Sequence, residues 1–110
     1  MVEAEYAANA DTLVLSYGIS ARAARAACRR LNRDGRRVSF LQLLTLFPIS
    51  TEPIRRAAQG CSRVVVVEEN SRGLYASVLE SVVGKDRLVR VNAVGHMITP
   101  TEIIEVAEAA

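Results

Sequence analysis

The sequence contains few of the residues on which catalytic and metal sites depend. It has two cysteines, Cys28 and Cys61, and a single histidine, His96. The cysteines form no C-x-x-C motif and have no neighbouring histidine, so they are predicted to be buried structural thiols, with a disulfide or redox pair as the alternative. No G-x-S-x-G or Cys–His pattern accompanies His96, which therefore cannot complete a nucleophilic triad. We interpret His96 as a polar loop residue, with a general base as the alternative.

The chain also lacks a strong charge of either sign and a long apolar run. Its 14 basic and 12 acidic residues give a net charge of +2, which argues against a dedicated nucleic-acid-binding protein. No apolar stretch approaches the roughly 20 residues that cross a bilayer, and no basic segment precedes an apolar one at Met1. Because structural free thiols fit a reducing compartment, the sequence predicts a soluble cytoplasmic protein that binds neither nucleic acid nor membrane.

Apolar strand patterns alternate with helical patterns along most of the chain. The stretch from Thr12 to Leu31 shows the unit that repeats: an apolar strand, a turn at Tyr17-Gly18 and a helix capped by Ser20. Four successive valines, Val64 to Val67, predict a central strand that is covered on both faces. This alternation predicts an α/β fold with a parallel sheet, right-handed crossovers and helices on both faces.

The length of 110 residues, half of them hydrophobic, predicts one domain. We assign that domain to residues 12–110. Residues 1–11 show no strand pattern and are predicted to be a helical or irregular lead-in, either a linker or a frayed terminus.

The loops that follow the strands provide the candidate functional residues. Ligand sites of open α/β sheets lie beyond the carboxyl ends of the strands, where the loops 18–20, 45–50 and 69–73 are predicted to meet. The turn at Gly18 matches neither the dinucleotide fingerprint nor the P-loop, so it is either a plain turn or a site for an anion on exposed N–H groups. The candidate anion-binding or interface residues are Gly18, Ser20, Phe47, Asn70 and Gly73.

Charged residues add no catalytic group to this prediction. Glu68 and Glu69 are adjacent at a strand end, so their side chains point to opposite faces and cannot form a carboxylate pair, although one of them can meet a partner. Four arginines share one helix face and predict a solvated surface, with an acidic partner as the alternative. These are Arg22, Arg25, Arg29 and Arg33. No catalytic residue and no metal site is predicted.

Four motifs occur in one order and together carry a family resemblance. They are Tyr17 to Ala24, Leu46 to Ile49 before a helix, Val66 to Asn70 with Gly73, and Gly95 followed by Thr99 to Ile103. In this combination the chain resembles, from Asp11 onward, the C-terminal domain of the α subunit of 2-oxoacid:ferredoxin oxidoreductases, a relative of the transketolase C-terminal domain. The resemblance implies a three-layer α/β/α sandwich whose mostly parallel sheet has one antiparallel edge strand, for which Arg87 to Val91 is the candidate.

The resemblance also implies a function for the whole enzyme. Such enzymes decarboxylate a 2-oxoacid on thiamine diphosphate and Mg, transfer the acyl group to coenzyme A, and pass electrons through iron–sulfur clusters to ferredoxin. This chain has no thiamine-diphosphate motif and too few cysteines for a four-cysteine cluster, so we expect it to bind none of these cofactors and to be inactive alone. It is then a non-catalytic assembly domain whose partners are the other domains or subunits, or a second copy of itself.

Two further expectations and two alternatives accompany this interpretation. The chain is shorter than a full subunit, so we expect an excised domain or a split subunit. Leu74 follows Gly73 where related sequences have Gln, so the hydrogen bond of that Gln is not expected here. The alternatives are the equivalent domain of a transketolase or 2-oxoacid dehydrogenase, and a free-standing phosphate- or nucleotide-binding module that uses Gly18 and Ser20.

Overall fold

Five strands and four α-helices make up the described part of the chain. The computed structural model describes residues 2–18, 20–44, 51–68, 74–92 and 98–108, except for the side chains of residues 74, 75 and 92. The elements in chain order are β1 (Val2–Glu5), β2 (Thr12–Tyr17), α1 (Ser20–Arg33), β3 (Val38–Leu43), α2 (Thr51–Ala58), β4 (Arg63–Glu68), α3 (Leu74–Val83), a 3-10 turn (Lys85–Arg87), β5 (Leu88–Asn92) and α4 (Pro100–Glu108).

The strands form one sheet in the order β1-β3-β2-β4-β5. The pairs β2–β3, β2–β4 and β4–β5 are parallel, and β1 pairs with β3 in the antiparallel direction. The predicted fold class is confirmed: the sheet is mostly parallel, with one antiparallel edge strand and helices on both faces. None of the described helices combines the length and apolar character needed to cross a bilayer.

Two apolar clusters lie on opposite faces of the sheet because successive strand residues point to opposite sides. One cluster joins Val14 of β2 and Val65 of β4 to the buried faces of α1 and α4. The other joins Leu13 and Val64, the neighbours of those residues, to α2 and α3. All four valines of β4 are fully buried, as their predicted central position requires.

The identity of the antiparallel edge strand differs from the prediction. Leu88–Asn92 is parallel to β4, because the helix α3 carries the chain back across the sheet before β5 begins. The antiparallel strand is Val2–Glu5, inside the segment that we predicted to be helical or irregular. The strand signal is weak there because the segment has only four residues and three of them are glutamate or alanine, which are uncommon in strands. Contacts with distant elements, described below, contribute to its placement.

Side chains close the ends of several elements where the sequence predicts a helix start or stop. Thr99 and Glu102 have the T-x-x-E spacing from which the sequence predicts a capping box, and this box is present at α4. The Glu102 N–H donates to Thr99 Oγ1 (3.3 Å), and the Thr99 N–H donates to Glu102 Oε1 (3.1 Å). In the last turn of α1, the Asn32 side chain bonds both backbone groups of Val38. Its Nδ2 donates to the Val38 carbonyl (2.9 Å), and its Oδ1 accepts from the Val38 N–H (2.8 Å). This pairing fixes the start of β3.

Candidate functional site

The order of the parallel strands identifies one place where a ligand crevice is expected. The strands β3 and β4 both pair with β2, on opposite sides, so the chain leaves the centre of the sheet in two directions. In open α/β sheets such a switch point is the usual ligand site, beyond the carboxyl ends of the two central strands. Here those strands are β2 and β4, which end at Tyr17 and Glu68. We call the end of the sheet where the parallel strands finish the carboxyl end.

On the α1 face, the switch point is closed by two buried serines. Ser16 Oγ donates to the Val67 carbonyl across the β2–β4 pair (3.0 Å) and lies 2.9 Å from Ser20 Oγ. Ser20 Oγ in turn lies 2.9 Å from the Tyr17 carbonyl, which accepts its proton. Both hydroxyls are inaccessible to solvent. The first turn of α1 is thereby fastened to the ends of both central strands.

On the opposite face, a buried carboxylate closes the same point. Glu68 is fully buried at the last position of β4. Its Oε1 accepts a hydrogen bond from Tyr17 Oη (2.8 Å), and its Oε2 accepts one from the backbone N–H of Ala76 in the first turn of α3 (3.1 Å). The carboxylate thus satisfies an N–H group that an α-helix leaves unpaired at its start. These contacts and those of the serines form what we call the switch-point network.

The sequence identified only part of this arrangement. It singled out Ser20 and placed a turn at Gly18, which has the left-handed φ of 65° that favours glycine. It named Glu68 as a strand-end residue without identifying its partners. The signal was available, because Glu68 continues a run of four buried valines with no break, and a carboxylate in that position needs donors. The involvement of Ser16 had no signal beyond its place in an apolar strand.

Several predicted site residues lie outside the described part of the chain. These are Phe47, Asn70, Gly73, Glu69 and His96. Their roles stay predictions, as does anion binding at Gly18 and Ser20. For the latter, the structure shows that the Ser20 hydroxyl is occupied by internal hydrogen bonds, so an anion there would contact backbone N–H groups.

The two cysteines are free and buried, as predicted. Burial, and secondarily the negative charge of Glu5, raise the pKa of the Cys28 thiol to about 12. Burial also raises the pKa of the Cys61 thiol, while the nearby Arg87 acts in the opposite direction. Cys28 packs in the α1 cluster and Cys61 in the α2 cluster, with the sheet between them. Within the described residues, no group of three His, Cys, Asp or Glu side chains could hold a metal, so these residues do not fit an iron–sulfur cluster.

An open cavity lies at the amino end of the sheet, where the parallel strands begin. It has a volume of about 450 Å³ and is lined mainly by the segment before β2 and the end of α2. Tyr6 borders it with 62% of its surface exposed, and Arg56, Gln59 and Cys61 border its other side. This cavity is therefore at the opposite end of the sheet from the switch point.

The arginine face of α1 meets an acidic partner within the chain. Arg29 Nη2 lies 2.7 Å from Glu5 Oε2, and Arg25 forms ion pairs with Glu5 (3.3 Å) and Glu3 (3.7 Å). The Arg25 guanidinium also lies over the ring of Phe40, 5.3 Å from its centroid. Two of the four arginines, Arg25 and Arg29, therefore form ion pairs with β1. These pairs add to the backbone pairing of β1 with β3.

Comparison with known proteins adds an independent line of evidence. The family model for pyruvate:ferredoxin oxidoreductase core domain II matches residues 10–103. A ketoisovalerate oxidoreductase subunit VorB from Methanothermobacter thermautotrophicus is 38% identical over 63 residues, which is 57% of this chain and 18% of that protein. A 2-oxoglutarate synthase subunit KorA from the same organism is 28% identical over 104 residues, covering 94% of this chain and 28% of that protein. The chain thus spans less than a third of the length of these relatives.

Solved structures show the same fold. A 2-oxoglutarate:ferredoxin oxidoreductase from Magnetococcus marinus, with 2-oxoglutarate, coenzyme A and succinyl-CoA bound, superposes with a TM-score of 0.89 at 21% identity, over 99% of this chain and 19% of that one. A split-gene transketolase, described as an inactive β4 tetramer, superposes with a TM-score of 0.80 at 20% identity, over 98% of this chain and 41% of that one. By the match of its sequence to the family model, the chain belongs to the core domain II family of the pyruvate:ferredoxin oxidoreductases.

Proposed function

We propose that this chain is a non-catalytic assembly domain of a thiamine-diphosphate-dependent 2-oxoacid:ferredoxin oxidoreductase. The whole enzyme would oxidatively decarboxylate a 2-oxoacid to an acyl-CoA and transfer the electrons to ferredoxin. Thiamine diphosphate, Mg, iron–sulfur clusters and coenzyme A would bind to its other domains or subunits. The enzyme would work in the cytoplasm.

The observation that carries this proposal is the state of the switch point. Among the described residues at the ends of β2 and β4, the polar side chains of Ser16, Tyr17, Ser20 and Glu68 form internal hydrogen bonds, which fasten helices to strands. The network bonds the first turns of α1 and α3 to the ends of the central strands, and groups that are ordered before binding suit docking because binding then costs little ordering entropy.

Exposed apolar surface at the carboxyl end supports a docking role there. Leu44, directly after β3, is 48% exposed, and it follows the buried Leu43, which pairs with the half-buried Tyr17 at the end of β2. The adjacent Gly18 is exposed as well. We propose that this surface, together with the predicted interface residues Phe47, Asn70 and Gly73, contacts the rest of the enzyme. We further propose that β1 belongs to the same domain as residues 12–110.

Reconstitution tests the proposal. The chain is mixed with the other subunits and domains of the native complex, and 2-oxoacid-dependent reduction of an electron acceptor is measured with and without it. We expect no turnover by the chain alone and turnover by the complex that contains it. Turnover of a 2-oxoacid by the purified chain would contradict the assembly role.

The same preparation separates the alternatives. The native complex is purified and its chains are identified. Association with a lipoyl-bearing acyltransferase in place of ferredoxin-type subunits would favour a 2-oxoacid dehydrogenase or transketolase-like assembly. Titration calorimetry of the chain with phosphate, nucleotides and coenzyme A tests the anion-binding module, for which the absence of heat is the expected result.

A further inference from the structure

Glu68 is a carboxylate at a fully buried position. Acidic side chains are almost never fully buried unless they are paired, because removing a carboxylate from water is costly. Glu68 has no exposed surface, yet it ends a strand whose preceding four residues are valine. An apolar residue of similar volume could fill such a position at little or no cost in stability. Packing alone therefore does not account for a carboxylate here.

The two oxygens of Glu68 connect three different elements. Glu68 itself ends β4, Tyr17 ends β2, and Ala76 lies in the first turn of α3. Since Oε1 accepts from Tyr17 and Oε2 from Ala76, a shift of either partner moves the carboxylate on which the other depends. Hydrogen bonds to a charged group are also stronger and more directional than apolar contacts.

Tyr17 reaches from this buried junction to the surface. Its side chain is half-buried, whereas Glu68 below it is fully buried, and the exposed Gly18 follows it in the chain. The Tyr17 side chain is therefore held at its hydroxyl by Glu68 and packs against the α2 cluster, while part of its surface remains exposed. A tyrosine held in this way loses little further freedom when a partner packs against it.

We infer that Glu68 and Tyr17 form a positioning pair, which couples the first turn of α3 to the end of β2 and fixes the Tyr17 ring in the surface that docks onto the rest of the enzyme. Glu68 acts on the docking surface through Tyr17 and Ala76. The coupling concerns the domain alone, whereas the docking step rests on the proposed assembly function. The two parts have separate measurements.

Amide hydrogen exchange in the 110-residue chain tests the coupling. The amide of Ala76 is followed relative to that of Leu79, which lies one turn further along the same helix. If the pair is coupled, Tyr17→Phe accelerates exchange at Ala76 about fivefold without a matching change at Leu79, because the carboxylate loses its second anchor. Glu68→Leu should accelerate it by about tenfold or more, and Glu68→Gln should restore most of the protection because an amide can bond both groups.

Tyr6→Phe is the matched control, because it removes the same hydroxyl from a tyrosine that is 62% exposed at the other end of the sheet. Exchange at Ala76 within about twofold of the original chain in Tyr17→Phe would overturn the coupling. Equal acceleration at Ala76 and Leu79 would also overturn it, since that result indicates general destabilisation. Tyr17→Phe is conservative, so this test remains available if Glu68→Leu does not fold.

Affinity for the remaining subunits tests the docking step. Tyr17→Phe and Glu68→Leu are expected to weaken assembly about tenfold at a temperature where both variants are folded, and Glu68→Gln and Tyr6→Phe are expected to stay within about twofold. If the original chain does not assemble, the proposed function fails while the exchange result still decides the coupling. If it assembles and all variants bind equally, the positioning role in docking is overturned.

Discussion

The helix ends at the two ends of the sheet are capped by side chains of opposite chemistry. At the carboxyl end, where helices begin, oxygen acceptors meet backbone N–H groups: Glu68 accepts from Ala76, and Thr99 accepts from Glu102. At the amino end, where helices finish, donors meet carbonyls. Arg87 is the main donor, since its guanidinium bonds the carbonyls of Val83, Ala58 and Cys61, and Arg63 bonds the Ala107 carbonyl in the last turn of α4.

This difference follows from the direction of the helices. In a parallel sheet with helical crossovers, every crossover helix runs opposite to the strands, so unpaired N–H groups collect at one end and unpaired carbonyls at the other. The partial charges of the helix ends favour anionic groups at the first and cationic groups at the second. The described residues of the two ends also differ, because Ser16, Ser20 and Glu68 form internal hydrogen bonds at the carboxyl end, while a cavity lies at the amino end.

The largest expected effect concerns the carbonyl groups that Arg87 bonds at the amino end of the sheet. Arg87→Ala should lower the free energy of unfolding by about 2–3 kcal/mol, because three carbonyls at the ends of α2 and α3 lose a charged donor. Urea unfolding measures the change. Lys85→Ala is the control, since this exposed neighbour should have an effect within about 0.5 kcal/mol. Equal effects of the two variants would show that the hydrogen bonds of the Arg87 guanidinium do not stabilise the chain.

A second prediction concerns the accessibility of the amino-end cavity, for which the reactivity of the two cysteines is the probe. Cys61 lines the cavity, whereas Cys28 is buried beneath α1 with its pKa raised to about 12, which keeps it a protonated and unreactive thiol near neutral pH. In the single-cysteine variants Cys28→Ser and Cys61→Ser, a thiol reagent should modify Cys61 at least about tenfold faster than Cys28. Faster modification of Cys28 would contradict the assignment of Cys61 as the more accessible thiol, beside the cavity.

A third, smaller effect tests the hydrogen bonds of Ser20 at the carboxyl end. Ser20→Ala should lower the free energy of unfolding by about 1 kcal/mol, since it removes a hydroxyl buried between Ser16 and the Tyr17 carbonyl. Calorimetric titration with phosphate should give the same heat for the variant and the original chain. A phosphate signal that Ser20→Ala abolishes would instead show that this end binds anions through the hydroxyl.

The smallest effect belongs to the ion pairs that hold β1. Glu5→Gln should lower the urea midpoint by less than Ser20→Ala does, because its partners Arg25 and Arg29 lie at the surface, where solvent weakens their attraction. High salt should reduce the difference by screening. Glu105→Gln on the exposed face of α4 provides the control. An effect of Glu5→Gln that does not respond to salt would assign the stability of β1 to its backbone hydrogen bonds with β3.

Prediction from the sequence succeeded where the deciding interactions are local. The capping box at Thr99, the turn at Gly18 and the burial of the valine strand depend on residues close together in the chain, and all three are present. It failed for the antiparallel strand, because the charges that hold Val2–Glu5 come from α1, 20 or more residues away. Periodicity also reports which residues are buried and not the direction in which a strand runs.

For the candidate site too, the sequence indicated single residues but not the contacts between distant ones. The sequence drew attention to Ser20 and to Glu68, and it placed both at the carboxyl end of the sheet. It could not show that Tyr17 and Ala76 converge on one carboxylate, because Tyr17 and Glu68 are 51 positions apart and meet only once β2 and β4 are paired.

By itself the sequence determined the α/β fold class, the central strand, the helix starts and the family, since these depend on residue patterns along the chain. Only the tertiary structure decided which edge strand is antiparallel and that two arginines of α1 form ion pairs with it. It also decided that the described polar side chains at the switch point bond one another, while a cavity lies at the amino end. The physical reason is that these features are contacts between elements distant in the chain, and their strength depends on burial and geometry that only the assembled sheet creates.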